Sequence, residues 1–230
     1  VQIVNYFGSN EGASFPSALK DLPEAADRAS LFPRLGEGFT WACVLHDRIF
    51  TRLVDPETDQ EITTAGHPGE LRVKGATIFS GYWRAPEVNA RAFDEDGWFR
   101  TGDLFELAGD RLQYLKFVGR LKDIIIRGGM NISSEEIENH LVAHPAIAEA
   151  AVVGAPDPNL GERLAAFVVF RPGQSASMAE INAFLTADRH IAVYKQIERL
   201  DVIEALPRNP VGKILKRDLR HSVAIETQSV

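Results

Sequence analysis

Apolar positions change their spacing part-way along this 230-residue chain. Up to about residue 118 they alternate with polar ones in short runs; beyond it they fall at helical spacing or in unbroken blocks. Alternation puts one side of a strand against a core, whereas spacings of three and four line one face of a helix. Residues 41–45 (Trp-Ala-Cys-Val-Leu), 69–74 (Gly-Glu-Leu-Arg-Val-Lys) and 112–115 (Leu-Gln-Tyr-Leu) therefore predict strands, divided by turn clusters at 55–59, 67–69 and 94–97. The opening residues 1–8, Val-Gln-Ile-Val-Asn-Tyr-Phe-Gly, read as a strand entering a glycine turn. Residues 85–93 predict a short helix with Pro86 near its start. Weak periodicity over 17–36 predicts a long surface loop or a short helix.

The second half reads differently. Ser133-Ser134-Glu135-Glu136 has the form of a capping box, and Ile137, Leu141 and Val142 are expected on one helical face. Apolar runs at 148–153 and 164–170 have the length and β-branched content of strands. A second capping box, Ser177 to Glu180, opens a helix carrying Ile181, Phe184 and Leu185. A third strand at 199–206 and a basic helix at 214–220 complete the pattern. The expected fold class is α+β: a β-rich part at 1–118, then a small domain at 119–230 with about three strands and three helices. The join at 118–123 carries Arg120-Leu121-Lys122-Asp123 instead of a Gly/Ser linker, as suits a hinge of defined geometry.

Composition narrows the function. A net charge of −7 argues against nucleic acid or an anionic membrane as partner, but leaves room for a few cations around a small anion. The single Cys43 excludes an internal disulfide and fits a reducing compartment, so the expected location is cytoplasmic. No apolar run approaches the roughly 18–20 residues of a membrane helix. The chain opens on Val1 in mid-strand, which suggests a piece of a longer protein.

Four groups can carry chemistry. Asp103, in Arg100-Thr101-Gly102-Asp103, can accept hydrogen bonds from two vicinal hydroxyls, as ribose binding commonly requires. Arg120 follows within reach of such a site, and Lys213, in Asn209-Pro210-Val211-Gly212-Lys213, can bring a compact positive charge to a phosphoryl or carboxyl oxygen. In the loop Phe7-Gly8-Ser9-Asn10-Glu11, Glu11 can ligate Mg²⁺ and Phe7 can pack on a base. Taken singly each has a plainer reading: an Asx turn, a surface arginine, an exposed lysine, a polar loop. Lys213 is no Walker lysine, since Ile214 replaces the required Ser/Thr. His140 and His144 are spaced for a metal, but Pro145 follows and no third ligand is apparent.

The order of these segments resembles the adenylate-forming acyl-CoA synthetases. Phe7-Gly8-Ser9-Asn10-Glu11 is similar to the aromatic-Gly-x-Thr-Glu motif, and Gly69-Glu70-Leu71 with Gly75 and Gly81-Tyr82 to the Gly-Glu-Leu…Gly…Gly-Tyr stretch. Arg100-Thr101-Gly102-Asp103 matches in full. Gly119-Arg120-Leu121-Lys122-Asp123, with Gly128-Gly129 and Glu135-Glu136-Ile137-Glu138, resembles the hinge motif, and Pro207 to Lys213 the terminal Pro-Arg-x-x-x-Gly-Lys motif. The resemblance implies the C-terminal part of such an enzyme: the end of the large domain, a distorted β-barrel subdomain, followed by the mobile small domain. It implies ATP-dependent activation of a carboxylic acid to an acyl-adenylate, then transfer to the thiol of CoA with release of AMP. Phe7, Gly8 and Asn10 would flank the nucleotide, Glu11 would bind Mg²⁺, and Asp103 with Arg120 would hold the ribose. Lys213 would be the catalytic lysine of adenylation, Lys122 the hinge, and Gly128-Gly129 the segment offered to the thiol.

Departures qualify this picture. Asn10 stands where the family usually has Thr, and Gln196 where it often has Pro. The family's Ser/Thr/Gly-rich phosphate loop occurs nowhere in the chain, so the fragment alone is expected to be inactive and to need the N-terminal part of the same polypeptide. Two other readings stay open: an adenylation domain that loads a carrier protein, and a nucleotide-binding fragment without catalysis. The expected partners are a carboxylic acid, ATP and CoA, with no nucleic acid or membrane; a homodimer is compatible with this. The acid pocket lies largely upstream in the family, and an aromatic or medium-chain acid is the expectation.

Overall fold

The computed structural model describes residues 3–227. The chain forms two compact units, Val1–Leu121 and Lys122–Val230, each with its own apolar core. The class is α+β, as expected from the sequence.

In the first unit, β1 (Asn5–Gly8) and β2 (Ser14–Ser17) make an antiparallel hairpin. A short helix, α1 (Ala25–Ser30), leads into β3 (Leu31–Pro33), then β4 (Ile49–Val54) and β5 (Gly69–Gly75). A second helix, α2 (Pro86–Ala92), has its proline at the first turn, where a missing N–H costs nothing. β6 (Phe99–Ala108) and β7 (Tyr114–Arg120) complete an antiparallel sheet in the order β3-β7-β6-β5-β4. Its edge strands β3 and β4 do not pair with each other, so among the described residues the sheet is open and not a closed, distorted barrel. Phenylalanines dominate its core: Phe105 lies 5.0 Å from Phe7, 6.2 Å from Phe32 and 5.3 Å from Phe117, centroid to centroid.

Two strand expectations need correction here, and one strand was not anticipated. Residues 41–45 form turns, with the Trp41 indole donating to the Arg34 carbonyl at 2.9 Å. Trp41 and Leu45 pack on the core without strand pairing, whereas Val44 between them is exposed. Leu112 takes φ +55° in a turn, and the strand starts at Tyr114. The strand that the sequence pattern left unread is β4, whose residues alternate in burial as a half-buried strand should.

In the second unit, β8 (Ile124–Arg127) and β9 (Met130–Ser133) form a hairpin closed by Gly128 and Gly129, both at positive φ. This two-residue turn needs positive φ at both positions, which explains the paired glycines. Helix α3 (Ser134–Val142) is capped by Ser133, whose hydroxyl accepts from Glu136 N–H at 3.2 Å. β10 (Ile147–Asp157) and β11 (Gly161–Phe170) pair along their length, helix α4 (Met178–Ala183) carries the expected capping box, β12 (Arg199–Val202) runs parallel to β11, and α5 (Lys216–Thr227) closes the unit. There are thus five strands here among the described residues, not three, because the 124–133 hairpin escaped the apolar-run count.

The unbroken apolar runs are explained by burial on both sheet faces. Val152, Leu164 and Ala166 join Ile137, Leu141, Ile181 and Leu185 in one cluster, whereas Ala151, Val153, Ala165 and Phe167 join Leu219 and Val223 in another. Val142 is exposed, contrary to expectation: five residues past Ile137 it lies about 140° around the helix.

An ion pair braces this sheet. Arg127 donates from Nε to Glu198 Oε2 at 2.8 Å and from Nη2 to Oε1 at 3.1 Å. The hydrogen bond from Arg127 holds the Glu198 carboxyl below its ordinary value against the opposing effect of burial. The folded state therefore binds fewer protons on Glu198 than the unfolded chain does, and this stabilisation is present at neutral pH and lost as pH falls through the carboxylate range. Glu198→Gln is expected to cost about 1 kcal/mol at pH 7, a partly screened pair, with the difference from wild type closing toward pH 3. Denaturant unfolding followed by circular dichroism checks this; a gap that does not change with pH would contradict it.

Candidate functional site

Asp103 sits inside a ten-residue strand, not in the turn that Thr-Gly-Asp suggested. Opposite β5 the ladder is interrupted: Glu70 faces Leu104 and Arg72 faces Arg100, so Leu71 alone spans Thr101, Gly102 and Asp103. Such a bulge lifts residues out of the pleat and re-aims their side chains. Gly102 takes φ +69° there, a conformation that favours glycine. Side chains replace the lost ladder bonds: Thr101 Oγ1 donates to the Leu71 carbonyl at 2.7 Å and accepts from Asp103 N–H at 3.1 Å.

On its other side β6 pairs with β7, and Asp103 faces Arg120 directly, one residue before the register shifts between Leu104 and Phe105. Arg120 Nε lies 3.2 Å from Asp103 Oδ1. The aspartate side chain is 10% exposed and the arginine 51%, so a held carboxylate stands beside a cation that reaches into solvent. Residues 17 positions apart are thus brought into contact by strand register.

Glu11 is held on the turn that follows β1. Ser9 N–H donates to the Ala13 carbonyl at 3.0 Å, and Phe79 N–H to the Glu11 carbonyl at 2.9 Å. The Tyr82 hydroxyl donates to Glu11 Oε1 at 2.8 Å. Burial opposes ionisation of this carboxyl, but the bonds from Tyr82, its own backbone N–H and Ser9 outweigh it and keep its pKa below the ordinary value. Glu11, Ser9 and Tyr82 share a cleft of about 290 Å³ with Arg91, Arg100 and Thr101. The cleft therefore adjoins the Asp103 bulge through Thr101. Asn10 on this turn and Gly8 at the end of β1 are both exposed. Phe7 is half-buried, its ring within 6.2 Å of four phenylalanine rings, while the exposed aromatic of this strand is Tyr6.

In the second unit, Lys122 lies in a single 3-10 turn, Leu121–Asp123, beside the division between the units. Its carbonyl accepts from Arg220 Nη2 at 2.9 Å, which also meets Asp123 Oδ1 at 2.6 Å. Lys213 is exposed on a tight loop in which Asn209 Oδ1 accepts from Lys213 N–H at 2.8 Å and Arg208 Nη1 donates to the Gly212 carbonyl at 2.7 Å. Three residues on, Lys216 Nζ reaches Glu138 Oε1 at 2.7 Å and Ser134 Oγ at 2.8 Å, fixing the start of α5 against α3. Burial pushes the Glu138 carboxyl up from its ordinary value despite that lysine. His140 Nδ1 meets Arg189 Nε at 3.1 Å, and His144 stacks edge-on against Phe184, so each has a protein neighbour.

Sequence reasoning did not find Tyr82, Glu70, Arg72, Glu138 or Lys216 as contributors. Gly-Tyr and Gly-Glu-Leu stood out as motifs, but their contacts cross 71 and 32 residues of sequence and carry no local signature.

The family model for the AMP-binding enzyme C-terminal domain matches residues 136–213. The chain is 47% identical over 159 residues to the medium-chain fatty-acid–CoA ligase of Escherichia coli, covering 69% of this chain and 28% of that protein. Against the 2,3-dihydroxybenzoate-AMP ligase of Bacillus subtilis it is 43% identical over 159 residues, covering 69% and 29%. Among solved structures, ATP-bound MatB from Rhodopseudomonas palustris superposes with a TM-score of 0.68 at 37% identity, covering 76% of this chain and 34% of that one. The chain thus spans less than a third of the length of these two curated relatives.

Proposed function

We propose that this chain, which belongs to the adenylate-forming acyl-CoA synthetase family and corresponds to its C-terminal part, serves an AMP-forming acid–thiol ligase. In this reading the whole enzyme activates a carboxylic acid with ATP and passes the acyl group to CoA. The observation that carries it is the facing pair Asp103 and Arg120, a held carboxylate and an accessible cation on adjacent strands at a bulge. The carboxylate is suited to the two ribose hydroxyls, and the arginine to the same nucleotide.

Glu11, ionised and open to the cleft, suits Mg²⁺, which commonly takes one or two carboxylates together with substrate phosphates. Bound there, the ion would neutralise phosphate charge. Gly8 and Asn10 border the nucleotide, and Phe7 offers the base whatever part of its ring the phenylalanine cluster leaves open. Lys213 supplies positive charge to the carboxylate and phosphate oxygens around the forming oxygen–phosphorus bond. The carboxylate oxygen attacks the α-phosphorus, pyrophosphate leaves with the bonding pair, and the lysine offsets the charge that builds up. The thiol then attacks the acyl carbonyl and AMP departs.

In this scheme the small domain, 119–230, turns on Lys122 against the part at 1–118, withdrawing Lys213 and offering Gly128-Gly129 to the thiol. The tight glycine turn, the separate core of the second unit and the division beside Lys122 favour that reading. Cytoplasmic location and, where the enzyme self-associates, a homodimer belong to the same proposal.

Loading of a carrier protein is the second reading, favoured by the similar identity to an AMP ligase. AMP and pyrophosphate release by the full-length protein with ATP, Mg²⁺ and a pool of carboxylic acids, with and without CoA, separates the two. AMP release that rises strongly with CoA is the expected result. Acid-dependent pyrophosphate release indifferent to CoA would favour carrier loading, and no acid-dependent turnover would overturn the enzyme reading.

A further inference from the structure

The Gly69-Glu70-Leu71 motif has no task in the scheme above, yet its glutamate lies directly beneath the Asp103 bulge. Gly102 N–H, taken out of the ladder by the bulge, donates to Glu70 Oε1 at 3.2 Å. The other carboxylate oxygen, Oε2, accepts from Arg72 Nε at 3.3 Å. Arg72 is 1% exposed and the largest fully buried side chain among the described residues. Its remaining nitrogens meet Asp94 at 3.1 Å and Asp59. Asp94 in turn accepts from Arg52 at 2.6 Å.

An ion cluster of this kind is seldom the most stable filling for a buried site, because desolvation offsets most of the attraction. What the cluster does provide is a carboxylate whose orientation is fixed from below. An apolar side chain at position 70 would leave the Gly102 amide without its acceptor and free the bulge to relax. Gly69 eases the arrangement: a Cβ there would come within 3.1 Å of the Val54 backbone nitrogen, a tight contact that would push the strand slightly away from β4.

We propose that Glu70 is a positioning residue for the nucleotide site, setting the geometry of the 101–103 bulge so that Asp103 meets the ribose hydroxyls, with Arg72 locking the Glu70 carboxylate in place. The proposal rests on the reading of Asp103 as the ribose acceptor. It distinguishes Glu70 from Asp59 and Asp94, the other carboxylates on Arg72, for which no contact with Gly102 is seen among the described residues. In Glu70→Gln the new amide cannot serve both neighbours: when its oxygen accepts from Gly102, its nitrogen faces the Arg72 donor.

The test compares binding of AMP and of 2′,3′-dideoxy-AMP to the full-length protein by calorimetry, with melting temperatures measured alongside. Wild type is expected to prefer AMP. Glu70→Gln is expected to weaken AMP about tenfold, the scale of a lost hydrogen bond to a charged group, while leaving the dideoxy analogue nearly unchanged. Asp94→Asn, which breaks the far side of the same cluster, is expected to lower the melting temperature but keep the AMP preference. If Glu70→Gln does not fold, Glu70→Asp keeps the charge beside Arg72, withdraws the oxygen from Gly102, and is expected to lose the preference. A variant that folds and retains the wild-type preference would overturn the proposal and leave Glu70 purely structural. Absence of any preference in wild type would instead overturn the ribose reading itself.

Discussion

Lys213→Ala is expected to slow acyl-adenylate formation by roughly 10²–10³-fold, or about 2.7–4 kcal/mol of barrier, the usual loss on deleting one preorganised charge-stabilising group. Thioester formation from supplied acyl-adenylate should stay within a few-fold of wild type, since the phosphorus chemistry is then complete. The structure suits so selective an outcome. Lys213 projects from a loop whose shape depends on Asn209 and Arg208, and among the described residues no carboxylate pairs with its ammonium group. Truncation therefore removes a charge without leaving a buried partner unpaired. Single-turnover assays of the two half-reactions make the comparison, and equal loss in both would reject the role proposed for this lysine.

Phe105→Ala is expected to destabilise the first unit by about 3–5 kcal/mol, because it opens a cavity in a core that can collapse only partly. Phe105 is 1% exposed and shares ring contacts with Phe7, Phe32 and Phe117, so the void would sit between the β1–β2 hairpin and the sheet. Trp41, Trp83 and Trp98 all belong to this unit, so tryptophan fluorescence of this chain follows its unfolding alone. A loss below about 1 kcal/mol, the size of a volume-conserving swap, would mean that the cluster repacks freely. Phe105 lies two residues from Asp103 on the same strand, so a weakened grip on AMP should accompany the loss of stability.

Several elements were legible before any coordinates. The Ser133 and Ser177 caps, the proline at the start of α2 and the buried pair Ile137 and Leu141 follow from local rules, in which a residue and its partner lie within four positions. The long strands β10 and β11 of the second unit were visible because burial on both faces leaves continuous apolar runs. The first unit was harder. In 41–45 only Trp41 and Leu45 pack against the core, from irregular backbone, and β4, an ordinary alternating strand, was passed over. The hairpin at 124–133 has a readable signal, two adjacent glycines between isoleucine-bearing segments, although the resemblance marks Gly128-Gly129 only as a segment of the family motif.

The candidate site divides the same way. Asp103, Arg120, Glu11 and Lys213 could be singled out from residue type and motif order, since chemical capacity belongs to the side chain itself. Their surroundings could not. That Asp103 occupies a bulge and faces Arg120 depends on strand register; that Glu70 supports Gly102 and Tyr82 meets Glu11 depends on contacts across 32 and 71 residues. Residue chemistry and local spacing are written along the chain. The alignment of a carboxylate with its neighbours is decided only when distant strands pair, because hydrogen bonds act over about 3 Å of space whatever their separation in sequence.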